Sequence, residues 1–488
     1  MTREASPPPS SLGDMDSEAF RREAHRVADW IADYLANSGE YPVLARVAPG
    51  AISAALPSDA PRDGESFEKI FSDFERILLP GITHWNHPGF FAYFAITGSA
   101  PGILAEFLSA ALNVQAMLWR TSPAATELEE VTLGWLRKLL GLPPAFDGVI
   151  YDTASISTLH ALAAARERTV PSVRQLGLAG SDPAPRLRVY CSDQTHSSID
   201  KAVILLGLGQ QSVRKIPSDR EFRMRADALA DAVTDDRSKG WQPLAVVATV
   251  GTTSSTSVDP VAAIADLCRR ESIWLHVDAA YAGVAAMVPG YESILHGVDG
   301  ADSLVVNPHK WLFTPFDLSV LYCRHMDLVR AAFALTPEYL KTVETAPVRN
   351  LMDTGIQLGR RFRALKLWMV LRHFGADGLR ARLAEHMRLA RLFASWVDAS
   401  TDFERLAPVP FSVVCFRARA QEHEDADRLN EQILEAVNAT GEIFISHTRL
   451  HGRYALRLAI GNLHTAESHV ARAWDLLQEH RRLIRSSN

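Results

Sequence analysis

The chain reads as an α/β protein: a large domain on a mostly parallel sheet, with a smaller α+β domain behind it. Two observations carry that reading. Between residues 148 and 324, short β-rich runs recur at 148–151, 187–192, 244–250, 273–278, 303–306 and 319–323, and helical stretches, notably 157–168 and 260–270, separate several of them. Strands alternating with helices imply parallel pairing with both faces of the sheet covered. After a helix at 362–374 the pattern turns to strands at 411–417 and 454–459 and helices at 425–439 and 466–481. The expected organisation is a disordered tail at 1–15, an N-terminal helical segment at 16–99, the large domain at 100–374 and the small domain at 375–488.

From the N-terminus, residues 1–15 are rich in Pro and Ser, with no apolar stretch behind a basic start. They read as a solvated tail rather than a secretory signal. In 17–37, Phe20, Ala24, Val27, Ile31 and Leu35 recur every three or four residues, an amphipathic helix whose apolar face must dock on something. The Pro- and Ala-rich stretch 42–62 reads as an extended arm. Thr126-Glu127-Leu128-Glu129 has the form of a capping box opening a helix over 128–140, with Val131, Trp135, Leu136 and Leu139 on one face.

The whole chain excludes several function classes. Its 488 residues are 47% apolar and 22% charged, with a formal charge of -6 mixed in sign along the sequence. That balance offers no basic footprint for nucleic acid or anionic lipid. No apolar run approaches the roughly 20 residues of a membrane-spanning helix. Cys191, Cys268, Cys323 and Cys415 are widely spaced. They read as reduced core thiols, with the cytoplasm as the default compartment.

Chemistry concentrates where the strands end, the edge at which ligands bind open α/β sheets. Lys310 lies in Asn307-Pro308-His309-Lys310-Trp311, between Leu304-Val305-Val306 and Trp311-Leu312-Phe313. Alone it would be read as a solvated charge, but apolar flanks on both sides desolvate the amine and favour its neutral, nucleophilic form. Asp278 closes the run 274–278, apolar except for His276. A carboxylate there needs a partner, either an arginine or a cationic ring nitrogen. A lysine and an acid at neighbouring strand ends suit pyridoxal phosphate. The lysine ties the aldehyde as a Schiff base, and the acid keeps the pyridine nitrogen protonated.

His196, in Ser192-Asp193-Gln194-Thr195-His196, suits a structural hydrogen bond and a ring stacked on a planar cofactor equally well. Ala154 and Ser155 open a helix after a strand, where N–H groups bind phosphate or are simply capped. Thr253, after Gly251 and Thr252, offers a hydroxyl at the same edge. The chain has no GxGxxG or GxxxxGKS, which disfavours dinucleotides and nucleoside triphosphates. His276, His296 and His309 lack metal-ligand spacing, and no nucleophile elbow supports a Ser-His-Asp triad.

Six segments carry a resemblance: HPGFFAYF (87–94), SPAATELE (122–129), SDQTHSS (192–198), WLHVDAAYAG (274–283), NPHKWL (307–312) and LGRRFRALKLW (358–368). On these the chain resembles the group II pyridoxal phosphate-dependent amino-acid decarboxylases, and among them the aromatic L-amino-acid decarboxylases. The resemblance implies fold type I, an aspartate aminotransferase-like domain with a mostly parallel seven-stranded sheet. It also implies a homodimer with the active site at the subunit interface, the helix 17–37 and the arm wrapping the partner. Lys310 is then the cofactor-linking lysine, Asp278 the partner of the pyridine nitrogen, and His196 the ring-stacking residue. Ala154, Ser155, Asn307 and His309 surround the phosphate, with Thr253 and Ala280 close by. The implied reaction is decarboxylation of an aromatic or related L-amino acid.

Three departures qualify the likeness. Where the family carries a loop tyrosine that returns a proton to the substrate carbon, counting back from Leu358 gives Leu351, which has no proton to give. Relatives with phenylalanine there consume oxygen and release an aldehyde, so that outcome is the alternative. The expected substrate pocket also differs: Gln115 and Met117 stand where larger apolar residues are usual, and Ala95-Ile96 replaces Pro-Thr. Trp85, Tyr93 and Phe94 are expected to remain as its apolar walls. Finally, the glutamate usual after the phosphate-binding serine is absent from Ala154-Ser155-Ile156-Ser157. A catalytically silent binding protein is the reading from a different class, and the intact Lys310, Asp278 and His196 argue against it.

Overall fold

Seven strands form the large sheet: β1 (Asp147–Tyr151), β2 (Leu187–Ser192), β3 (Val213–Ile216), β4 (Gln242–Thr249), β5 (Trp274–Asp278), β6 (Ser303–Val306) and β7 (Ser319–Cys323). Their spatial order is β1-β7-β6-β5-β4-β2-β3. β7 runs antiparallel to both neighbours, and the remaining pairs are parallel. The computed structural model describes residues 13–180, 184–335 and 348–487. Most of the tail expected at 1–15, and residues 341–347 of the loop before Leu358, lie outside the described residues.

The central strands are buried on both faces, as parallel strands between helical layers must be. Along β5 the side chains alternate. Leu275 and Val277 join the core that contains Leu133, Leu136, Val261 and Ile264, while Trp274 joins the core beneath helix Ala154–Thr169. His276 shares the face of Trp274 and is held between Thr158 Oγ1 at 3.1 Å and Ser303 Oγ at 2.9 Å. The same alternation puts Asp278 on that face, toward the start of helix Ala154–Thr169.

A four-stranded sheet of β8 (Phe403–Arg405), β9 (Val413–Ala418), β10 (Ser446–Leu450) and β11 (Arg453–Ala459) forms the second unit, in the order β10-β11-β9-β8. Helix Ala364–Ala399 joins the two units and kinks at Gly375, whose φ of 64° lies in the left-handed region open to glycine. The run expected to end at 374 therefore continues beyond the kink. All four cysteines are buried and free. Among the described residues no helix is long and apolar enough to cross a membrane.

Two expectations need correction. β3, β8 and β10 were not foreseen, and each is an edge strand. Their sequences, VRKI, FER and SHTRL, carry the charged and polar residues that blunt exposed edges, which erases the apolar run that marks a central strand. The capping box at Thr126 does not form. The helix is Pro123–Leu139, Ser122 Oγ accepts from the Ala125 N–H at 3.3 Å, and Pro123 takes the first turn. Thr126 instead donates to Ser122 O inside the helix. Val131 and Trp135 face outward, whereas Glu129 is buried, bonded to the Ile150 N–H at 2.9 Å and to Arg360 Nη2 at 3.0 Å.

Candidate active site at the carboxyl edge of the large sheet

Since β1, β2, β4, β5 and β6 all run the same way, their last residues come to one edge. A cavity of about 190 Å³ opens there, lined by Lys310, Asp278, His196, Ala154, Ser155 and Thr253, and also by Ala280, Asn307, His309 and Phe94. Residues up to 216 positions apart in sequence, Phe94 and Lys310, thus meet around one space.

Lys310 follows β6 in the short helix Pro308–Trp311. Its amine lies 5.2 Å from the centre of the Phe94 ring. Burial pushes its pKa below the usual lysine value; the Asp278 charge opposes that shift and the Arg457 charge adds to it. Asp278, only 7% exposed, accepts from the Ala280 N–H at 3.1 Å. His196 Nδ1 accepts from the Ser198 N–H at 3.1 Å, which leaves the ring proton on Nε2. Burial lowers the imidazole pKa and holds the ring neutral.

Ala154 and Ser155 are the first two residues of helix Ala154–Thr169, so their N–H groups lie outside its hydrogen-bond ladder. His309 Nδ1 accepts from the Leu318 N–H at 2.9 Å, leaving an Nε2 proton free, and burial lowers its pKa to about 3. Two polar atoms of cavity-lining residues, Asn307 Oδ1 and Thr249 Oγ1, are buried with no hydrogen-bond partner among the described residues. Native proteins seldom leave such groups incomplete. A helix start, a neutral histidine donor, an acid facing a lysine and two incomplete polar groups fit a phosphorylated pyridine aldehyde.

Other expected residues do not join this cavity. Of the apolar walls, Phe94 lines it, stacked on Tyr281 at 3.8 Å. Trp85 stacks on Phe90 and Tyr93 outside it, Tyr93 is 54% exposed, and Ile96 is part-buried and does not line it. Gln115 is occupied elsewhere: its Oε1 accepts from the Arg360 N–H at 2.6 Å. Met117 O accepts from the Met352 N–H at 3.0 Å, and Trp119 N donates to Asn350 Oδ1 at 3.3 Å. These bonds close 115–119 onto 350–360, and neither segment lines the cavity that holds the chain's own Lys310. Leu351 belongs to that closure, 1% exposed in the turn Leu351–Thr354.

Sequence reasoning missed Thr249, Ser198, Tyr281 and Arg457. For Arg457 a signal existed: an arginine inside the otherwise apolar run Ala455-Leu456-Arg457-Leu458-Ala459 of β11.

Fold and cavity together define a fold-type I enzyme with pyridoxal phosphate as its cofactor. The pyridoxal-dependent decarboxylase conserved domain matches residues 49–419. Tryptophan decarboxylase 2 of Oryza sativa subsp. japonica is 40% identical over 480 residues, covering 96% of this chain and 95% of the relative. Phenylacetaldehyde synthase of Arabidopsis thaliana is 42% identical over 480 residues, covering 96% and 97%. The crystal structure of Oryza sativa TDC with PLP and tryptamine superposes with a TM-score of 0.92 at 37% identity, covering 97% of this chain and 99% of that one. The chain belongs to the pyridoxal-dependent decarboxylase family.

Proposed function

We propose that the protein removes the α-carboxylate of an aromatic L-amino acid, with Lys310 as the cofactor-linking amine. The observation that carries this is a desolvated lysine sharing one small cavity with Asp278 and a helix start. Bound pyridoxal phosphate supplies a ring that takes up the electron pair left when CO2 departs. Around it, the Ala154 and Ser155 N–H groups and His309 Nε2–H hold the phosphate. Asp278 holds a proton on the ring nitrogen, and neutral His196 covers the ring face. Asn307 and Thr249 complete their hydrogen bonding on the same group, and Thr253 and Ala280 close its edge.

A second reading rests on Leu351. With no acid at that position, oxygen can intercept the reaction, and amino acid, O2 and water become aldehyde, CO2, ammonia and hydrogen peroxide. Quantifying these products from a panel of aromatic L-amino acids separates the readings. The expected result is one amine per CO2; aldehyde and peroxide in equal yield would replace the first reading with the second. Leu351→Tyr shifts any aldehyde-forming flux toward amine. It also lowers stability by about 1–3 kcal/mol, because the ring must fit a buried site.

We also propose that the working unit is a homodimer in the cytoplasm, the dimer bringing Gln115, Met117 and the 350–354 turn to the other copy's cavity. Supporting the dimer, helix Ser17–Ala36 buries none of its residues and leaves Phe20 62% exposed. Leu104, Phe107, Leu108 and Leu112 line a second bare face, on helix Ala100–Leu112. Buried free thiols suit a reducing compartment. Sedimentation of the full chain should give twice the 53.8 kDa chain mass. Deleting residues 1–36 should yield monomer with little activity; an active monomer would sink the shared-site reading.

A further inference from the structure

Arg457 sits on β11 of the small sheet, 4% exposed, and no carboxylate pairs with it among the described residues. A buried cation in that state is costly unless something uses it. Its hydrogen bonds go to two main-chain carbonyls. Nε donates to Ser254 O at 3.1 Å and Nη1 donates to Tyr93 O, while Nη2 is buried with no partner among the described residues. Both carbonyls adjoin the cavity: Tyr93 precedes Phe94, and Ser254 follows Thr253. Tyr93 holds a φ of 51°, a left-handed conformation that a residue of its size adopts only when something pins it. The guanidinium carbon lies 4.7 Å from the Phe94 ring centre, the same ring that the Lys310 amine faces at 5.2 Å.

We infer that Arg457 is a positioning residue: it pins the Tyr93–Phe94 wall and the Ser254 turn from the small sheet, and it sets a fixed positive charge against the same Phe94 ring that the Lys310 amine faces. The charged and titratable groups facing Lys310 are Asp278 from β5, His196 from the turn after β2, His309 from its own short helix and Arg457 from β11. The two histidines are neutral, so Asp278 and Arg457 set opposing fields on the amine. Asp278 favours the ammonium form and Arg457 the neutral one. Burial lowers the Arg457 pKa from its ordinary value, but a guanidinium starts so far above neutrality that it keeps its charge and its push on Lys310.

The inference rests on Lys310 being the cofactor-linking amine, and the test separates the two. Cofactor-free chain is mixed with pyridoxal phosphate across a pH series, the adduct is fixed with borohydride, and the modified peptide is mapped. If wild-type Lys310 is not the residue modified, the proposed function itself fails. If it is, Arg457→Gln should move the midpoint of the coupling rate to higher pH and slow coupling below that midpoint, because a charge that favours the free amine is gone. An Arg457→Gln chain that folds, by circular dichroism and thermal melting, but keeps the wild-type midpoint overturns the inference. Arg457→Lys carries the test even if the glutamine variant does not fold. Lysine keeps the charge but cannot serve both carbonyls, so the midpoint stays at the wild-type value while KM for the amino acid rises about fivefold or more. A shifted midpoint, or an unchanged KM, counts against it.

Discussion

Lys310→Ala leaves a folded chain that no longer carries borohydride-fixed cofactor and whose decarboxylation rate falls by about 10³-fold or more, the scale of losing a covalent catalytic group. The loss follows from chemistry, not from folding. Among the described residues Lys310 makes no ion pair with a carboxylate, and burial already disfavours its charged form. Truncating it removes a desolvated amine at a cavity wall and leaves Asp278 its bond from the Ala280 N–H. The melting temperature of the cofactor-free variant should therefore stay close to wild type. Pyridoxal phosphate should still bind, held by the helix start at Ala154, but be lost on gel filtration. A fixed adduct persisting in this variant would transfer the role to another lysine.

How much of this was legible in the sequence depended on local signals. The central strands were visible because burial on both faces forces continuous apolar runs, and their ends marked Asp278, Lys310 and His196. The edge strands β3, β8 and β10 were not, because their charged residues serve the solvent side. Ser122 went unseen as a cap since the Thr126–Glu129 pattern mimics one three residues into the helix. Gln115 and Met117 were read as substrate contacts and Leu351 as the position of a missing loop acid; within one chain all three lie where one segment closes on another. That closure pairs positions more than 200 residues apart, and no local pattern announces it. Arg457 was missed for a similar reason, because its partners Tyr93 and Ser254 lie 364 and 203 residues upstream.

Asp278→Asn separates binding from chemistry more cleanly than any other change at this edge. Asparagine keeps the shape and can still accept from the Ala280 N–H, but it cannot hold a proton on a ring nitrogen. The expected result is a fall in kcat of about 10²–10³-fold, the scale of removing one electrostatic stabiliser, with KM changed by less than about tenfold. The lysine responds in the other direction. Asp278 raises the Lys310 pKa, so its loss lowers that pKa further and enlarges the free-amine fraction at neutral pH. Coupling to pyridoxal phosphate should then begin at lower pH than in wild type, opposite in sign to Arg457→Gln. A variant that attaches cofactor readily and turns over poorly places Asp278 in the chemical step. If kcat instead survives within about threefold, the carboxylate is structural and the ring nitrogen has another partner.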